Sequence, residues 1–254
     1  MSPRMSSAST GNPDGPAMLL LHGFLSCRAQ WDLNAERLGE RFRLIIVELM
    51  GHGVSDAPDE PSWYGPDHVL SELERVRVDH DVDQWWVCGQ SLGGAIATRY
   101  ALAHPNRALG LVFTNSRAAF GIARPGIRQI IPDTISSTRD VSVHPVHATR
   151  LPEAIKARLV EAADATPLHV VDLVSGHREA WRSVDQMTEL TIPVMLVNGR
   201  WEKAFQKTLD EVRDSIGHVE IVDLEGGHAI NIEQAAGFDA AVLDFTERHG
   251  ASSP

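Results

Sequence analysis

A serine turn with a strand-like run before it and a helix-like run after it constrains this chain more than any other stretch. Ser91 lies at its centre, two residues from Gly89 on one side and from Gly93 on the other. Glycines at these positions let the chain turn sharply and let the helix pack close to the strand, which exposes the serine hydroxyl. The context predicts that Ser91 is a nucleophile. The alternative interpretation is a glycine-rich turn with an inert serine.

Strand-like and helix-like segments alternate along most of the chain. The strand-like runs beside the one before Ser91 occupy residues 17–21, 42–47, 109–113, 192–197 and 219–224. Runs that are apolar throughout are typical of strands buried on both faces of a parallel sheet. The pattern predicts an α/β fold in which a mostly parallel, twisted sheet is covered by helices on both faces.

The alternation is interrupted once, and the interruption suggests how the chain is divided. Residues 1–16 are rich in Ser, Pro, Gly and Asn and are predicted to be a disordered tail. Residues 17–116 and 183–250 are predicted to form the core, and 117–182 an inserted helical cap. A helix is expected from about residue 154 to 163 of this cap.

Composition limits the partners and the compartment. The net charge of −11 argues against nucleic acid or an anionic membrane surface as a partner. Two cysteines cannot form a disulfide framework, and no apolar run has the length of a signal peptide or a membrane span. The expected location is cytoplasmic, and the oligomeric state stays open.

A serine nucleophile needs a base, and the base needs an orienting carboxylate. His228 follows two glycines after the last strand-like run and is predicted to be the base. Glu202 lies in the loop after residues 192–197 and is predicted to be the acid, since a carboxylate there satisfies the chain order Ser, acid, His. The competing loop at 114–117 carries no carboxylate. His22 and His52 also end strands, and both are expected to shape their loops by hydrogen bonding.

Acyl transfer creates an oxyanion that backbone donors can hold. The N–H of Leu92, at the start of the predicted helix, is one candidate donor, and the N–H of Phe24 is the other. This chemistry requires no metal and no organic cofactor, so none is expected.

Together these stretches resemble the α/β-hydrolase superfamily, in the family's order along the chain. The resemblance covers roughly residues 17–250 and rests on four motifs: His22-Gly23-Phe24, Gly51-His52-Gly53-Val54-Ser55, Gly89-Gln90-Ser91-Leu92-Gly93-Gly94 and Gly226-Gly227-His228. It implies that Ser91 is the nucleophile, His228 the base, and Phe24 and Leu92 the donors of an oxyanion hole. Many members carry an Asp where this chain has Glu202.

The resemblance also narrows the branch of the superfamily. A serine at position 91 argues against haloalkane dehalogenases and epoxide hydrolases, which have Asp there. The residues from Gly199 to Phe205 are similar to the acid loop of a synthase of menaquinone biosynthesis, which suggests a branch of small capped esterases and synthase-like proteins. Ala95 stands where that synthase carries an Arg, so its specific activity is disfavoured. The two leading strands common in the family are expected to be shortened or missing.

The predicted function is a serine hydrolase that cleaves a carboxylic ester, thioester or lactone of a small-molecule acyl substrate through an acyl-enzyme. One alternative is a C–C bond hydrolase or a synthase-like lyase that uses the same triad. Another is a non-catalytic small-molecule receptor on the same fold.

The cap would decide the substrate, since the fold does not. Large apolar side chains in and near it are candidates to line a substrate pocket: Trp31, Phe120, Trp181 and Trp201, together with Phe24 and Ile122. Residues 117–182 carry nine Lys or Arg and seven Asp or Glu, a net charge of +2. This charge could favour an anionic substrate or could simply belong to a solvated surface.

Overall fold

Seven strands form one sheet in the computed structural model, which describes residues 2–120 and 151–250. The order across the sheet is β1-β3-β2-β4-β5-β6-β7. β1 is antiparallel to β3, and every other pairing is parallel. The strands are β1 (Ser7–Gly11), β2 (Ala17–Leu21), β3 (Arg43–Val47), β4 (Trp85–Gly89), β5 (Ala108–Thr114), β6 (Val194–Gly199) and β7 (Glu220–Leu224).

Helices connect the strands and cover the sheet. They are α1 (Asp32–Gly39), α2 (Pro66–Asp79), α3 (Leu92–Ala103), α4 (Arg117–Phe120), α5 (Glu153–Ala165), α6 (Leu168–Gly176), α7 (Lys203–Gln206), α8 (Leu209–Ser215), α9 (Ile230–Glu233) and α10 (Ala235–Gly250). Short 3₁₀ helices lie at Arg28–Trp31, Pro61–Tyr64, Arg178–Trp181 and Val184–Glu189. Among the described helices, none is long and apolar enough to cross a membrane.

Both faces of the sheet are buried, which explains the unbroken apolar runs. Leu19 and Leu21 of β2 face a core that includes Val76 of α2 and other side chains of α2 and α3. Met18 and Leu20 of β2 face a second core against α1 and α10. The prediction of a mostly parallel sheet covered by helices on both faces is therefore confirmed.

The parallel register places the carboxyl ends of the strands at one edge. Leu21 lies opposite Val47 and Gly89, and Gly199 lies opposite Leu224. The loops after β2, β4, β6 and β7 consequently leave the sheet on the same side. Ligands bind at this edge in open α/β sheets.

The prediction of a disordered tail over residues 1–16 is wrong for Ser7–Gly11. These residues form β1 and pair along their full length with β3. The strand is polar because it is the edge of the sheet and its side chains are half-buried or exposed, so it lacks the apolar pattern of the inner strands. One short leading strand, antiparallel to β3, is therefore present.

The segment predicted to be a cap is described in part, since residues 121–150 lie outside the described residues. Its described portion is helical, and α5 extends the helix expected near residues 154–163 by one or two residues at each end. Val170 of α6 packs against the loop after β3, where a Cβ on Gly51 would lie 2.4 Å from the Val170 side chain. Whether 117–182 acts as a cap stays a prediction.

Candidate active site

Ser91 occupies a strained turn between β4 and α3. Its φ of 53° and ψ of −113° put a non-glycine residue at positive φ, which costs free energy and is found mainly at functional turns. The flanking glycines make the turn possible. A Cβ on Gly89 would lie 2.1 Å from the Gly93 carbonyl oxygen, and a Cβ on Gly93 would lie 2.3 Å from the Leu21 carbonyl oxygen. No other residue fits these two positions without movement of the backbone.

His228 contacts both Ser91 and Glu202. Its Nε2 lies 2.8 Å from Ser91 Oγ, and its Nδ1 lies 2.8 Å from Glu202 Oε2. The carboxylate accepts the Nδ1 proton, so Nε2 is left to accept the hydroxyl proton of Ser91. The His228 and Glu202 side chains are only 10% and 6% exposed, so water screens this pair weakly. The structure thus brings the predicted nucleophile, base and acid into one hydrogen-bonded row.

Asn115 holds the Glu202 carboxylate and was missed by the sequence analysis. The residue follows β5 and is fully buried. Its Nδ2 donates to Glu202 Oε2 at 3.0 Å and to the Gly199 carbonyl at 3.1 Å, and its Oδ1 accepts from the Gly199 N–H at 3.3 Å. The loop at 114–117 therefore orients the acid, although it carries no carboxylate of its own. The sequence signal that could have identified Asn115 is its place as a polar residue directly after an apolar strand.

The loop after β2 lies against the serine turn. A Cβ on Gly23 would lie 2.2 Å from Gln90 Oε1 and 3.4 Å from Ser91 Cβ. Phe24 follows in this loop, and Leu92 is the first residue of α3, where N–H groups have no intrahelical acceptor. Phe24 and Leu92, the two predicted oxyanion donors, are thus the residues directly after Gly23 and Ser91, and their role as donors stays a prediction.

His22 and His52 tie the loops after β2 and β3 to each other. His22 Nε2 accepts the Leu49 N–H at 3.0 Å, and His52 Nε2 accepts the Leu25 N–H at 3.2 Å. Each ring is neutral in this arrangement and donates its Nδ1 proton to a nearby carbonyl. Burial lowers the pKa of His22 to about 4 and that of His52 to about 3, so both stay neutral near pH 7. Both histidines shape their loops, as expected.

Three of the predicted pocket residues are packed into the cores. Trp31 is fully buried against Phe238, 6.0 Å between ring centroids, in the core between the sheet and α10. Its predicted place in the substrate pocket is wrong, because that core lies inside the fold, under α1 and α10. Phe120 and Trp181 are 2% and 1% exposed in the other core, and their contact with substrate stays a prediction. Ile122 lies outside the described residues.

Trp201 differs from these side chains because it is 42% exposed. It directly precedes Glu202, and its Nε1 donates to Glu225 Oε2 at 2.9 Å. Its predicted contact with substrate stays untested. Among residues 2–120 and 151–250, no group of three or more His, Cys, Asp or Glu side chains is arranged to hold a metal ion.

The fold and the geometry around Ser91 define the class of protein. A family model described as the alpha/beta hydrolase fold matches residues 16–169, which is more than half of the chain. The chain belongs to the α/β-hydrolase family, as the motifs predicted. It is a hydrolase enzyme, and relatives named as esterases are among its matches.

Full-length relatives carry different activities in their names. The chain is 26% identical to a Bacillus subtilis protein named "Putative 2-succinyl-6-hydroxy-2,4-cyclohexadiene-1-carboxylate synthase", over 95% of this chain and 94% of that protein. It is 27% identical to a pimeloyl-[acyl-carrier protein] methyl ester esterase of Yersinia pseudotuberculosis, over 91% and 93% of the two chains. The enol-lactonase of Burkholderia xenovorans superimposes with a TM-score of 0.80 at 19% identity, over 96% of each chain, and this likeness shows the fold alone.

Proposed function

We propose that this enzyme is a serine hydrolase that cleaves a carboxylic ester, thioester or lactone of a small acyl substrate through an acyl-enzyme. The observation that carries the proposal is the position of His228 between Ser91 Oγ and Glu202 Oε2, 2.8 Å from each. This row can remove the hydroxyl proton as the oxygen attacks a carbonyl carbon and can stabilise the imidazolium that forms.

The reaction follows from the roles that the contacts favour. Ser91 Oγ attacks the substrate carbonyl while His228 Nε2 takes its proton, and the N–H groups of Phe24 and Leu92 hold the oxyanion. His228 then gives the proton to the leaving oxygen or sulfur atom as the bond between that atom and the acyl carbon breaks. Water, activated by His228, attacks the acyl-enzyme, and collapse of the second oxyanion releases the carboxylic acid and restores Ser91.

The name of one relative favours an ester as the substrate. A methyl ester esterase is similar to this chain over nearly its full length. In an ester the acyl carbon is joined to an oxygen, which is the bond that the proposed mechanism breaks. We therefore place esters first in the substrate class, with lactones and thioesters next.

A synthase-like lyase is the second candidate, because the Bacillus subtilis relative is named as a synthase. Ala95 argues against it. This residue is fully buried in the first turn of α3 and supplies no cation there for a carboxylate substrate. C–C bond hydrolysis could use the same triad, and a receptor would need none of its proton transfers.

The cytoplasmic location also stays a prediction. Both cysteines are buried and free, as a reducing compartment would allow.

The test is hydrolysis of p-nitrophenyl butyrate by the wild type and by Ser91→Ala. The alanine variant should lose roughly 10⁴-fold or more in kcat, because no nucleophile remains to form the acyl-enzyme. Its unfolding midpoint in urea should show that the fold is retained. Unchanged turnover in a folded Ser91→Ala variant would reject the proposal. A panel of esters, thioesters, lactones and β-diketones would then rank the bond types, and activity confined to β-diketones would favour C–C hydrolysis.

A further inference from the structure

Four buried polar side chains form a row that contacts the two loops flanking Ser91, the loop after β2 and the loop after β7. Its members are Gln30, Asn34 and Asn231, which are fully buried, and Asp239, which is 2% exposed. They come from the 3₁₀ helix at Arg28–Trp31 and from α1, α9 and α10. None of them contacts Ser91 through a described hydrogen bond, and the proposed mechanism uses none of them.

One end of the row holds the loop that carries Phe24. Gln30 Oε1 accepts the Gly23 N–H at 3.1 Å and the Ser26 hydroxyl at 2.7 Å. These two donors lie on either side of Phe24, one residue before it and two residues after it. A single side-chain oxygen thus holds the Gly23 backbone before the proposed oxyanion donor and the Ser26 side chain after it.

The other end holds the segment that follows His228. Asn231 lies three residues after the base, in α9, and its Nδ2 donates to the Gln30 carbonyl at 2.9 Å and to Asn34 Oδ1 at 3.2 Å. Asn34 Nδ2 donates in return to the Asn231 carbonyl at 2.9 Å and to Asp239 Oδ1 at 2.8 Å. The two asparagines therefore bond reciprocally, and Asp239 anchors the pair to α10.

The sheet alone cannot set the distance between these loops. β2 and β7 are separated by three strands, β4, β5 and β6, in the sheet order. At the front of the site, Gln90 Nε2 donates to the His228 carbonyl at 2.9 Å, and Gln90 also packs on Gly23. The buried row supplies a second connection between the two loops.

The row costs more free energy than apolar side chains would at the same positions. Gln30 Nε2 and Asn231 Oδ1 are buried and have no hydrogen-bond partner among residues 2–120 and 151–250. A buried polar atom without a partner costs free energy, and apolar side chains of the same shape would avoid that cost. A role in placing the two loops accounts for polar side chains here, whereas stability alone favours apolar ones.

We propose that Gln30 and Asn231 are positioning residues, which hold the Phe24 amide and the His228 loop at fixed places around Ser91, with Asn34 and Asp239 as their support. This inference rests on the proposed function, since that function assigns the roles of Phe24 and His228. Misplacement of an oxyanion donor or a base weakens the transition state more than the ground state, so kcat is the parameter that the row controls.

The first test replaces Gln30 by Met, which has a similar shape and no strong acceptor. With p-nitrophenyl butyrate, kcat should fall about 10- to 100-fold while KM stays within about twofold. The rate at which a fluorophosphonate labels Ser91 should fall by a similar factor, because the phosphonyl oxygen occupies the same oxyanion position. If Gln30→Met does not fold, Ser26→Ala replaces it, since this change removes one of the two donors to Gln30 Oε1. A fall of about threefold in its kcat is then expected.

The second test measures the coupling without turnover. Asn34→Leu should speed hydrogen exchange at the Gly23 and Ile232 amides at least about tenfold, because these amides donate to Gln30 Oε1 and to the Ala229 carbonyl and the change frees both loops from their support. Thr246→Val is the matched control, since it removes a buried hydroxyl that donates to the Val242 carbonyl on α10, outside the row. Exchange at both loop amides and kcat should stay at wild-type values in this control.

The outcomes separate the two proposals. If Gln30→Met, or Ser26→Ala in its place, keeps the wild-type kcat, and Asn34→Leu leaves the exchange of both loops unchanged, the positioning role is overturned. If the wild type neither turns over an acyl substrate nor takes the label at Ser91, the proposed function fails instead. The exchange measurement still decides in that case whether the row couples the two loops.

Discussion

At the scale of single residues, the site is built around one oxygen of Glu202. Its Oε2 accepts from both His228 Nδ1 and Asn115 Nδ2, so two donors fix the carboxylate in place. Glutamate is one methylene longer than the aspartate common in the family, and the amide of Asn115 holds the longer side chain. The orientation of the acid is therefore shared between the loops after β5 and β6.

Replacing Glu202 by Gln should lower kcat about 10²- to 10⁴-fold, by analogy with other substitutions of a triad acid. The amide keeps the shape but cannot stabilise the imidazolium of His228. The measurement is steady-state hydrolysis of p-nitrophenyl butyrate, with Glu225→Gln as the control. Glu225 is exposed and contacts only Arg200 and Trp201 among its described side-chain partners. A near-wild-type rate in Glu202→Gln would show that another group supports the base.

Replacing Asn115 by Leu should lower kcat about 10- to 100-fold and leave KM nearly unchanged, because the Glu202 carboxylate loses one of its two donors and the proposed mechanism gives Asn115 no contact with the substrate. Steady-state kinetics together with the unfolding midpoint in urea separates this effect from simple destabilisation. If the unfolding midpoint drops and kcat does not, Asn115 is a structural residue.

The sequence predicted the residues that do chemistry better than the residues that place them. Ser91, Glu202 and His228 stand in local patterns of glycines and strand ends that limit their roles. Asn115 also follows a strand, but no glycine motif marks it, and its partners lie 84 and 87 positions further along the chain. The prediction that Trp31 lines the substrate pocket was wrong for a related reason. The sequence does not show whether an aromatic residue near a loop motif faces a pocket or a core.

At the scale of elements, the contact between β2 and α3 sets the position of the nucleophile. The α3 backbone at Gly93 approaches the carbonyls of Leu21 and His22 so closely that an added Cβ would lie 2.3 and 2.5 Å from their oxygens. Strand, turn and helix are therefore packed as one unit, which holds the positive φ of Ser91.

Gly93→Ala should destabilise the fold by about 2–4 kcal/mol, because the methyl group meets backbone atoms that cannot move independently. Gly176→Ala is the matched control. Outside its own helix, no atom of the described part of the chain lies within 4 Å of its added Cβ, so a change between zero and about 1 kcal/mol of stabilisation is expected. Urea unfolding of both variants gives the comparison, and equal stabilities would contradict the close packing of α3 on β2.

The inner strands could be predicted and the edge strand could not. Strands buried on both faces must be apolar throughout, and this marks β2, β3 and β4 in the sequence. β1 has one neighbour and half-exposed side chains, so its sequence resembles that of a polar tail. Its pairing depends on β3, more than thirty residues away, which no local pattern records.

At the scale of the whole molecule, three buried titratable groups make stability depend on pH in opposite directions. His22 and His52 have folded pKa values of about 4 and 3, below their ordinary value of 6.5, because of burial. They contribute stability that is present above pH 6.5 and is lost as pH falls toward 4 and 3. Burial raises the pKa of Asp239 from 3.8 to about 7. Its contribution is present below pH 3.8 and is lost as pH rises through 7.

The variant Asp239→Asn tests how the ionisation of Asp239 alone affects stability. Above pH 7 the variant should be more stable than the wild type by about 2–4 kcal/mol. The wild-type native state then buries a charged carboxylate, which costs desolvation free energy, and the amide of the variant avoids this cost. Near pH 4 the two proteins should differ by less than about 1 kcal/mol, since the native carboxyl is then protonated and the unfolded one is only about half ionised. Asn34, Arg37 and Cys88 face this carboxyl, and the Asn side chain keeps the acceptor for Asn34.

Urea unfolding at several pH values between 4 and 8 measures the difference. Asp244→Asn, an exposed position on the same helix, is the control and should change stability by less than about 0.5 kcal/mol at every pH. A constant difference between Asp239→Asn and the wild type across this range would show that Asp239 does not titrate in it.

If Ser91 is the nucleophile, it carries the acyl group during turnover, and this acyl-enzyme can be observed directly. Wild-type enzyme is mixed with p-nitrophenyl butyrate, quenched in acid within the first turnovers, digested and mapped by mass spectrometry. We expect one butyryl group, on the peptide that contains Ser91, and none in the Ser91→Ala protein. A butyryl group on a different residue that appears and decays at the rate of turnover would contradict it.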